Sequence, residues 1–136
     1  MSTFQLTIVT PDGEFYRGPA ESLTVRAVSG ELTLLAHHID FVTALGMGEA
    51  RVTIDGQKRH ACCIGGMLAM TKNEARLIAT SFEWADQIDL ERAKDALSRA
   101  ETALERPDLT KEERKLREAA KRRAQVRISI AEANQK

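Results

Sequence analysis

The hydrophobic period of this chain changes once, within residues 81–93 (SFEWADQIDLERA). Before this stretch, apolar residues mostly alternate with polar ones, and glycine-containing turns interrupt them often. After it no glycine occurs, and Ala, Leu, Glu, Lys and Arg predominate. Alternation is the period of a strand with one buried face, whereas spacings of three and four place apolar residues on one face of a helix. The sequence therefore predicts a β domain at residues 1–84 and a helical domain at residues 85–136.

Turn residues separate short apolar runs throughout the first domain. Asp55-Gly56 is the pair typical of a two-residue type I′ hairpin turn, and Gly65-Gly66 interrupts a later run. Strands that recur about every 8 to 12 residues are typical of an antiparallel β-sandwich or flattened barrel. The predicted strands are residues 4–9, 15–17, 23–27, 31–35, 51–54, 57–64, 67–70 and 75–82.

The second domain is predicted to form two helices. Asp86 and Asp89 can each accept a hydrogen bond from the first free N–H groups of a helix over residues 89–105. Pro107 interrupts that helix, and Thr110-Lys-Glu-Glu113 is a capping box for the next one. Because the connection is only about five residues, we expect the helices to return as an antiparallel α-helical hairpin.

The positions expected to face each other in this hairpin are rich in alanine. Alanine allows close approach but buries little apolar area, at about 25 cal/mol per Å². We therefore expect the hairpin to need support from its β domain, a partner chain or a ligand. The facing positions are Leu90, Ala93, Leu97, Ala100 and Leu104 on the first helix, and Leu116, Ala119, Ala120, Ala124, Ile128 and Ala131 on the second.

The charge balance argues against nucleic acid as a partner. The chain has 20 basic and 20 acidic residues, although residues 111–127 alone hold eight basic and three acidic ones. This stretch predicts a cationic helix face. No apolar run reaches the roughly 18 residues needed to cross a bilayer, and the N-terminus lacks the basic and apolar regions of a signal peptide. We therefore expect a cytoplasmic protein that reaches a membrane only through an assembly.

The residues that could hold a metal or carry out catalysis lack the required spacing. Adjacent histidines point their rings apart, and no Cys-x-x-Cys motif is present. The glycine pair is not followed by Lys and Ser or Thr, so no phosphate loop is expected. We predict no metal site, no required cofactor, reduced cysteines and no catalysis by the chain alone. The candidate metal ligands were His37, His38, His60, Cys62 and Cys63.

Five segments of the chain resemble, in the same order, segments of the ε subunits of F-type ATP synthases. Residues 88–93 resemble the (Ile/Leu)-Asp-x-x-Arg-Ala motif that begins the helical domain of that family, and residues 64–68 resemble its Ser-Gly-Gly-x-Leu element. Residues 29–45 resemble its Gly-Glu-Leu-Gly-Ile-Leu-Pro-Gly-His segment and the leucine-rich run after it. The five segments are residues 9–13 (VTPDG), 29–45, 64–68 (IGGML), 88–93 (IDLERA) and 123–131 (RAQVRISIA).

The chain departs from this family in one loop. The family's Pro-Gly-His is Ala36-His37-His38 here, and Asp40 replaces the proline that follows. In the family this loop lies at the foot of the β domain, where it meets the γ subunit and the ring of membrane c subunits. The added bulk and charge leave the details of that contact open. The positions at which the resemblance implies docking are Glu31, His38, Asp40 and Thr43.

The resemblance implies a subunit of the central stalk, part of the rotor that couples proton or sodium flow to ATP synthesis. Its partners would be the γ subunit and the c ring, on the cytoplasmic side of the cell membrane. The hairpin would be regulatory. When folded on the β domain it would permit turnover; when extended along γ it would meet acidic segments of the α and β subunits and oppose ATP hydrolysis. The basic residues implied in this inhibition are Lys121, Arg122 and Arg123.

In some bacterial members of this family the folded hairpin binds ATP, alone or with Mg²⁺, as a regulatory ligand. Arg92 and Arg99 are seven residues apart, which is two turns along one helix face. Arg123 and Arg127 are four apart and share a face of the other helix. Guanidinium groups bind phosphate oxygens in a forked geometry, and a carboxylate can accept from adenine or ribose. The implied site is Glu83, Ile88, Asp89, Arg92, Ala93, Arg99, Arg123 and Arg127.

Two other classes of protein remain open from the sequence. A free-standing ATP sensor or β-sandwich adaptor would have the same domains without a rotary partner. Co-purification with γ and the c ring separates that class from an ε subunit. A small hydrolase would turn over a substrate as the isolated chain, which no residue arrangement predicts.

Overall fold

The structure, a computed structural model, describes residues 2–135. In this range ten strands precede two α-helices, α1 (Leu90–Leu104) and α2 (Lys111–Asn134), and a 3-10 turn at Ala85–Gln87 lies between the two parts. The strands are β1 Phe4–Thr10, β2 Gly13–Ala20, β3 Ser22–Ala27, β4 Gly30–Leu35, β5 Phe41–Ala44, β6 Met47–Ile54, β7 Gln57–Ile64, β8 Met67–Thr71, β9 Glu74–Ile78 and β10 Ser81–Trp84.

The chain divides into two compact units. The first ends at Ala85 and holds the strands, and the second begins at Asp86 and holds both α-helices. The boundary falls within the 3-10 turn, which is where the strand period of the sequence ends. An N-terminal β-sandwich followed by a C-terminal helical hairpin was the predicted fold class, and it is confirmed.

The strands form two five-stranded sheets. Sheet A has the order β2-β1-β9-β8-β5, and sheet B has the order β10-β7-β6-β3-β4. Neighbouring strands are antiparallel except β1 and β9, which are parallel. A hairpin forces its two strands to be antiparallel, but β1 and β9 are joined by most of the domain, so their relative direction is free.

One face of each sheet is buried, as the alternation of apolar residues requires. On β1 the side chains of Leu6 and Ile8 are fully buried, and on sheet B those of Leu23 and Val52 are fully buried too. Odd and even positions of a strand point to opposite faces, so the intervening residues form the outer faces. The buried core also contains Phe4, Val25, Leu34, Leu68, Met70, Leu77 and Phe82.

Three aromatic rings close the end of the core next to the boundary between the units. Phe15 lies 5.1 Å from Phe82 and 5.4 Å from Trp84 between ring centroids. The guanidinium carbon of Arg59 lies 3.8 Å from the centroid of the Trp84 ring, the geometry of a cation–π contact. The tryptophan that ends the last strand of the β unit is therefore held by aromatic and cation–π contacts.

The structure corrects the predicted strands in three places. The single strand predicted at residues 75–82 is two strands in different sheets. Buried positions 75, 77 and 79 are followed by 82 and 84, so the alternation changes phase at residues 80–81, where the chain crosses. β2 continues through Gly18-Pro19, because an edge strand tolerates a missing N–H. β5 lies in a stretch for which no strand was predicted, since its four residues are too few for a clear period.

The chain passes from sheet B to sheet A at Gly65-Gly66, and at position 66 only glycine fits. Gly65 and Gly66 have φ of 64° and 112°. A Cβ on Gly66 would lie 1.9 Å from the carbonyl oxygen of Ile78. The same corner is bonded to the crossing between β5 and β6, because Leu45 N donates to Gly66 O at 2.9 Å and Gly65 N donates to Gly46 O at 3.1 Å.

Gly66→Ala is expected to destabilise the β unit far more than the matched control Gly30→Ala. Both glycines have positive φ, 112° and 128°, so both variants carry backbone strain of about 1–3 kcal/mol. Only the Cβ at 66 also collides with backbone, because nothing lies within 4 Å of a Cβ at 30. Denaturant unfolding followed by Trp84 fluorescence measures the difference. Equal losses of unfolding free energy would contradict this steric explanation.

The two helices form an antiparallel hairpin with the expected caps. Asp89 accepts a hydrogen bond from Arg92 N at 3.1 Å, and Thr110 accepts one from Glu113 N at 3.1 Å in a complete capping box. At the open end of the hairpin, Gln135 Nε2 donates to the carbonyl of Ile88 at 2.9 Å. The side chains buried most deeply on the two helices are Ala93, Ala100, Ala124, Ile130 and Ala131.

Leu116 was predicted to face the other helix, and this prediction is wrong. Its side chain is 70% exposed. Leu116 precedes the buried Ala124 by eight residues, which is about 2.2 turns at 3.6 residues per turn. It therefore lies about 80° around the helix from the buried stripe.

Candidate functional site

Three rows of side chains cross the outer face of sheet A, and the ladder registers define them. Each row takes one outward residue from successive strands. The first row is Thr71, Glu74, Gln5 and Pro19; the second is Val42, Ala69, Arg76, Thr7 and Arg17; the third is Ala44, Met67, Ile78, Val9 and Glu14.

The third row is apolar on four neighbouring strands. We call Ala44, Met67, Ile78 and Val9 the apolar row. Met67 and Ile78 remain 51% and 50% exposed, and Val42 in the next row, at 64%, extends the patch. Large apolar side chains that are contiguous and exposed on a soluble domain mark a contact surface. These residues carry no signal in the sequence, because their proximity depends on strand register.

Asn73 holds the loop at which the chain departs from the ε family. Its Oδ1 accepts from His37 N at 2.6 Å, and its Nδ2 donates to Thr3 O at 3.0 Å. Asp40 Oδ1 accepts from Lys72 N at 3.0 Å. His37 has a φ of 63°, at the position where the family has glycine. This conformation costs a residue with a Cβ roughly 1–2 kcal/mol, and the hydrogen bonds to neighbouring turns offset that cost.

His38 lies in the same loop and is half-buried. Its Nδ1–H donates to the carbonyl of Ile39 at 2.9 Å. Its ring meets that of Phe41 edge-on, with 5.1 Å between centroids. The imidazole is therefore held by its own loop, and Ile39 beside it is 77% exposed.

Thr43 faces the interior of the sandwich. It pairs across the ladder with Leu68, which is fully buried, and residues directly opposite each other in a ladder share a face. The outward residues of β5 are the exposed Val42 and Ala44. A partner bound to the outer face of sheet A would therefore contact Val42 and Ala44 rather than Thr43.

Glu31 lies on sheet B, at the far end of β4 from His38. Its carboxylate is 3.0 Å from Arg51 Nη2, and Arg51 Nη1 is 3.1 Å from Glu49, which lies 3.4 Å from His60 Nδ1. The hydrogen bond that Arg51 donates to Glu49 raises the pKa of Arg51, with a smaller contribution from Glu31. Glu31 thus belongs to a chain of charges on sheet B, whereas His38, Asp40 and Thr43 lie together in one segment.

The four arginines of the expected nucleotide site lie on one flank of the hairpin. Arg92 and Arg99 each precede a buried interface residue of α1 by one position, as Arg123 does on α2. In an antiparallel pair of right-handed helices, positions one before the interface fall on the same side of the pair. Arg127 follows Arg123 by one turn. Arg92 and Arg99 are exposed, and the two arginines of α2 are half-buried.

The remaining residues of that expected site have structural roles or lie in the β unit. Ile88 is 5% exposed and its carbonyl accepts from the end of α2. Asp89 caps α1, and Ala93 lies in the helix interface. Glu83 lies on β10, directly across from Cys62 of β7. The (Ile/Leu)-Asp-x-x-Arg-Ala motif thus has a structural explanation at three of its four positions.

The basic stretch of α2 includes Lys121, Arg122 and Arg123. Arg122 is exposed, and the other two are half-buried. Leu116 lies five residues before Lys121, among further basic residues. Both helices are polar, and no helix between residues 2 and 135 is long and apolar enough to cross a membrane.

Cys62 and Cys63 are buried thiols that are not joined in a disulfide. Burial raises the pKa of Cys63 to about 12, so this thiol stays protonated and unreactive at neutral pH. In the described part of the chain, no group of three or more His, Cys, Asp or Glu side chains is arranged to hold a metal ion. The cysteines therefore belong to the packing of the sandwich.

Comparison with known proteins agrees with this architecture. Residues 3–85 match the family model described as the β-sandwich domain of the ATP synthase delta/epsilon chain. The sandwich and its helical hairpin thus define the class, the delta/epsilon chains of ATP synthases. Over 134 residues the sequence is 34% identical to the ATP synthase epsilon chain of Caldicellulosiruptor bescii, a match that covers 98% of this chain and 97% of the relative.

A second relative, the ATP synthase epsilon chain of Shouchella clausii, is 37% identical over 131 residues, 96% of each chain. The chain belongs to the family of ATP synthase epsilon chains, as the sequence motifs predicted. Its fold is also similar to a chain of the Euglena gracilis mitochondrial ATP synthase, with a TM-score of 0.69, 23% identity, and coverage of 97% of this chain and 79% of that one. A chain of the Tetrahymena thermophila mitochondrial ATP synthase central stalk and c ring gives a TM-score of 0.61 at 12% identity, with 93% and 95% covered.

Proposed function

We propose that this chain is a non-catalytic subunit of the ATP synthase rotor, in which its β unit joins the γ subunit to the c ring. It would reach the cytoplasmic side of the cell membrane only through that complex, and it would help to couple proton or sodium flow to ATP synthesis. Membership of the epsilon-chain family supports this proposal, as do similar chains from structures described as containing a c ring or a central stalk.

The observation that carries the docking proposal is the apolar row on sheet A. An outer sheet face in water is normally polar, yet Met67 and Ile78 are half exposed and adjacent. Covering them would remove apolar surface from water at about 25 cal/mol per Å². The row also ends at β5, next to the segment with His38 and Asp40. We infer that γ covers this face and that the loop at residues 36–40 lies at the edge of the contact.

Met67→Asp and Ile78→Asp are each expected to weaken binding to the purified γ subunit at least tenfold, because the apolar contact is lost and a carboxylate must be removed from water. Leu35→Asp is the control, since Leu35 is equally exposed but lies on sheet B. Calorimetry measures affinity, and thermal melting checks that each variant folds. Unchanged binding in both sheet A variants would place γ elsewhere. Absence of γ and c from a pull-down of the wild-type chain would favour a free-standing sensor or adaptor.

The hairpin is proposed to regulate ATP hydrolysis. Its interface consists mainly of alanine, so the helices gain little from packing together and can separate at modest cost. In the extended state, Lys121, Arg122 and Arg123 would meet acidic segments of the α and β subunits and slow the motor. In the folded state the same residues would be withdrawn and turnover permitted.

Charge reversal at Lys121 and Arg122 is expected to raise ATP hydrolysis by the assembled complex several-fold, and truncation after Ala85 is expected to raise it more. Added salt should shrink the effect of the reversals, because exposed charges are screened. Lys58→Glu, which reverses one exposed charge on β7, is the control for charge reversal elsewhere on the chain and should leave hydrolysis unchanged. Unchanged hydrolysis in both the double reversal and the truncation would contradict a regulatory hairpin.

We also propose that ATP, alone or with Mg²⁺, binds the folded hairpin across its arginine-bearing flank. Arg92 and Arg99 on α1 and Arg123 and Arg127 on α2 offer four guanidinium groups on one side. Asp89 is already engaged by the backbone of Arg92, so we assign it to helix capping first and to ligand contact second. A ligand that bridges both helices stabilises only the folded state and so shifts the regulatory balance.

ATP at a hundred times its dissociation constant is expected to stabilise the folded hairpin by about 2.7 kcal/mol, seen as protection of its amides from hydrogen exchange. Arg99→Ala and Arg123→Ala should each weaken binding by about 1.5–3 kcal/mol, the range for a hydrogen bond to a charged group. Arg114→Ala is the control, because Arg114 lies on the other flank of α2. Calorimetry measures the affinities. If wild type fails to bind millimolar ATP, or if the three variants behave alike, the arginine flank is not a nucleotide site.

A further inference from the structure

A shallow polar basin lies beside the apolar row on the outer face of sheet A. Its volume is about 390 Å³. The floor is formed by small side chains, including Thr7 and Ala69, which leave space between longer neighbours. Three basic side chains and one acidic side chain line it. The residues around the basin are Gln5, Arg17, Thr71, Lys72, Glu74 and Arg76.

Arg76 and Arg17 flank Thr7 in the second row, one on each neighbouring strand. Their backbones are thus two strands apart, or roughly 9.6 Å. Two arginine side chains that extend toward each other from these strands can reach the same group between them. Both arginines are exposed. Among residues 2–135 the guanidinium of Arg76 has no hydrogen-bond or ion-pair partner.

Arg17 is partly engaged by an acidic neighbour. Its Nε and Nη2 donate to the two carboxylate oxygens of Glu14 at 2.8 and 3.2 Å. This pair lowers the pKa of Glu14, so both members are charged at neutral pH. Glu14 is the last member of the third row, and Glu74 is the acidic side chain among those that line the basin. The basin therefore keeps a net positive charge directly next to an apolar strip.

We propose that this basin receives an acidic side chain of the protein that covers the apolar row, with Arg76 as the principal contact and Arg17 as the second. The inference rests on the proposed function, in which that protein is the γ subunit. A carboxylate fits a pair of guanidinium groups in bidentate geometry. Apolar contact supplies affinity, and the charge pair fixes the register of γ on the sheet.

The basin suits a carboxylate carried by a docked protein better than a free anion. It is shallow, and its arginines are exposed, so a free anion would stay hydrated and gain little. A carboxylate presented by a partner is already positioned by contact with Met67 and Ile78 in the adjoining row. The same contact removes water from around the charge pair, which strengthens it.

The test measures the rate and equilibrium constants of binding between the full chain and the γ subunit at two salt concentrations. Arg76→Gln should weaken binding about five- to tenfold, mainly through slower association, and should reduce the dependence of association on salt. Lys58→Gln, which removes one exposed positive charge on sheet B, should change neither quantity. Glu14→Gln should strengthen binding a few-fold, because it releases Arg17 and removes a competing carboxylate. A gain of affinity cannot arise from misfolding.

The outcomes separate this proposal from the docking proposal on which it rests. Loss of binding in Met67→Asp and Ile78→Asp, with no effect of Arg76→Gln or Glu14→Gln, would retain the docking face and overturn the acidic contact. No effect of any of the four would overturn both. Equal weakening by Arg76→Gln and Lys58→Gln would mean general charge attraction and would also overturn the specific contact.

Discussion

The close approach of Gly66 to the carbonyl oxygen of Ile78 fixes how the two sheets of the β unit join. The chain leaves sheet B at this point, and both corner glycines have positive φ. The same corner is tied by backbone hydrogen bonds to the crossing from β5 to β6. The position of β8 beside β9 therefore depends on the contact between Gly66 and Ile78, which leaves no space for a side chain at position 66. Because the apolar row and the basin both extend across β8 and β9, their geometry depends on this contact as well.

The two units are stabilised by different interactions. The β unit has a core of large side chains that are fully buried, each worth roughly 1.5–3 kcal/mol on burial. The hairpin has alanines at its interface, and its helices rely on caps worth about 1 kcal/mol each and on a bond from Gln135 to Ile88. This difference suits the proposed roles of the two units, in which the β unit docks and the hairpin opens and closes.

Local features of this fold could be predicted from sequence, and non-local ones could not. Asp55 and Gly56 have φ of 51° and 77°, as the type I′ turn requires, and the caps at Asp89 and Thr110 depend only on neighbours along the chain. The parallel pairing of β1 with β9 joins distant segments and leaves no local signal. The residues of the candidate sites divide in the same way, into those with a local signal in the sequence and those without one. The arginine spacings were visible along each helix, whereas Met67, Ile78 and Arg76 become neighbours of their partners only through strand register.

In the proposed docking, the outer face of sheet A would combine an apolar contact and a charged contact whose roles differ. Apolar contact between Met67, Ile78 and a partner is strong but tolerates sliding along the row, because hydrophobic burial is non-directional. A charge pair at Arg76 is directional, and its interaction energy is lost when the partner shifts by one residue. A rotor subunit has to transmit torque without slipping, so affinity alone is insufficient for this interface. Placing an arginine basin directly beside the apolar row supplies the directional contact that the row lacks.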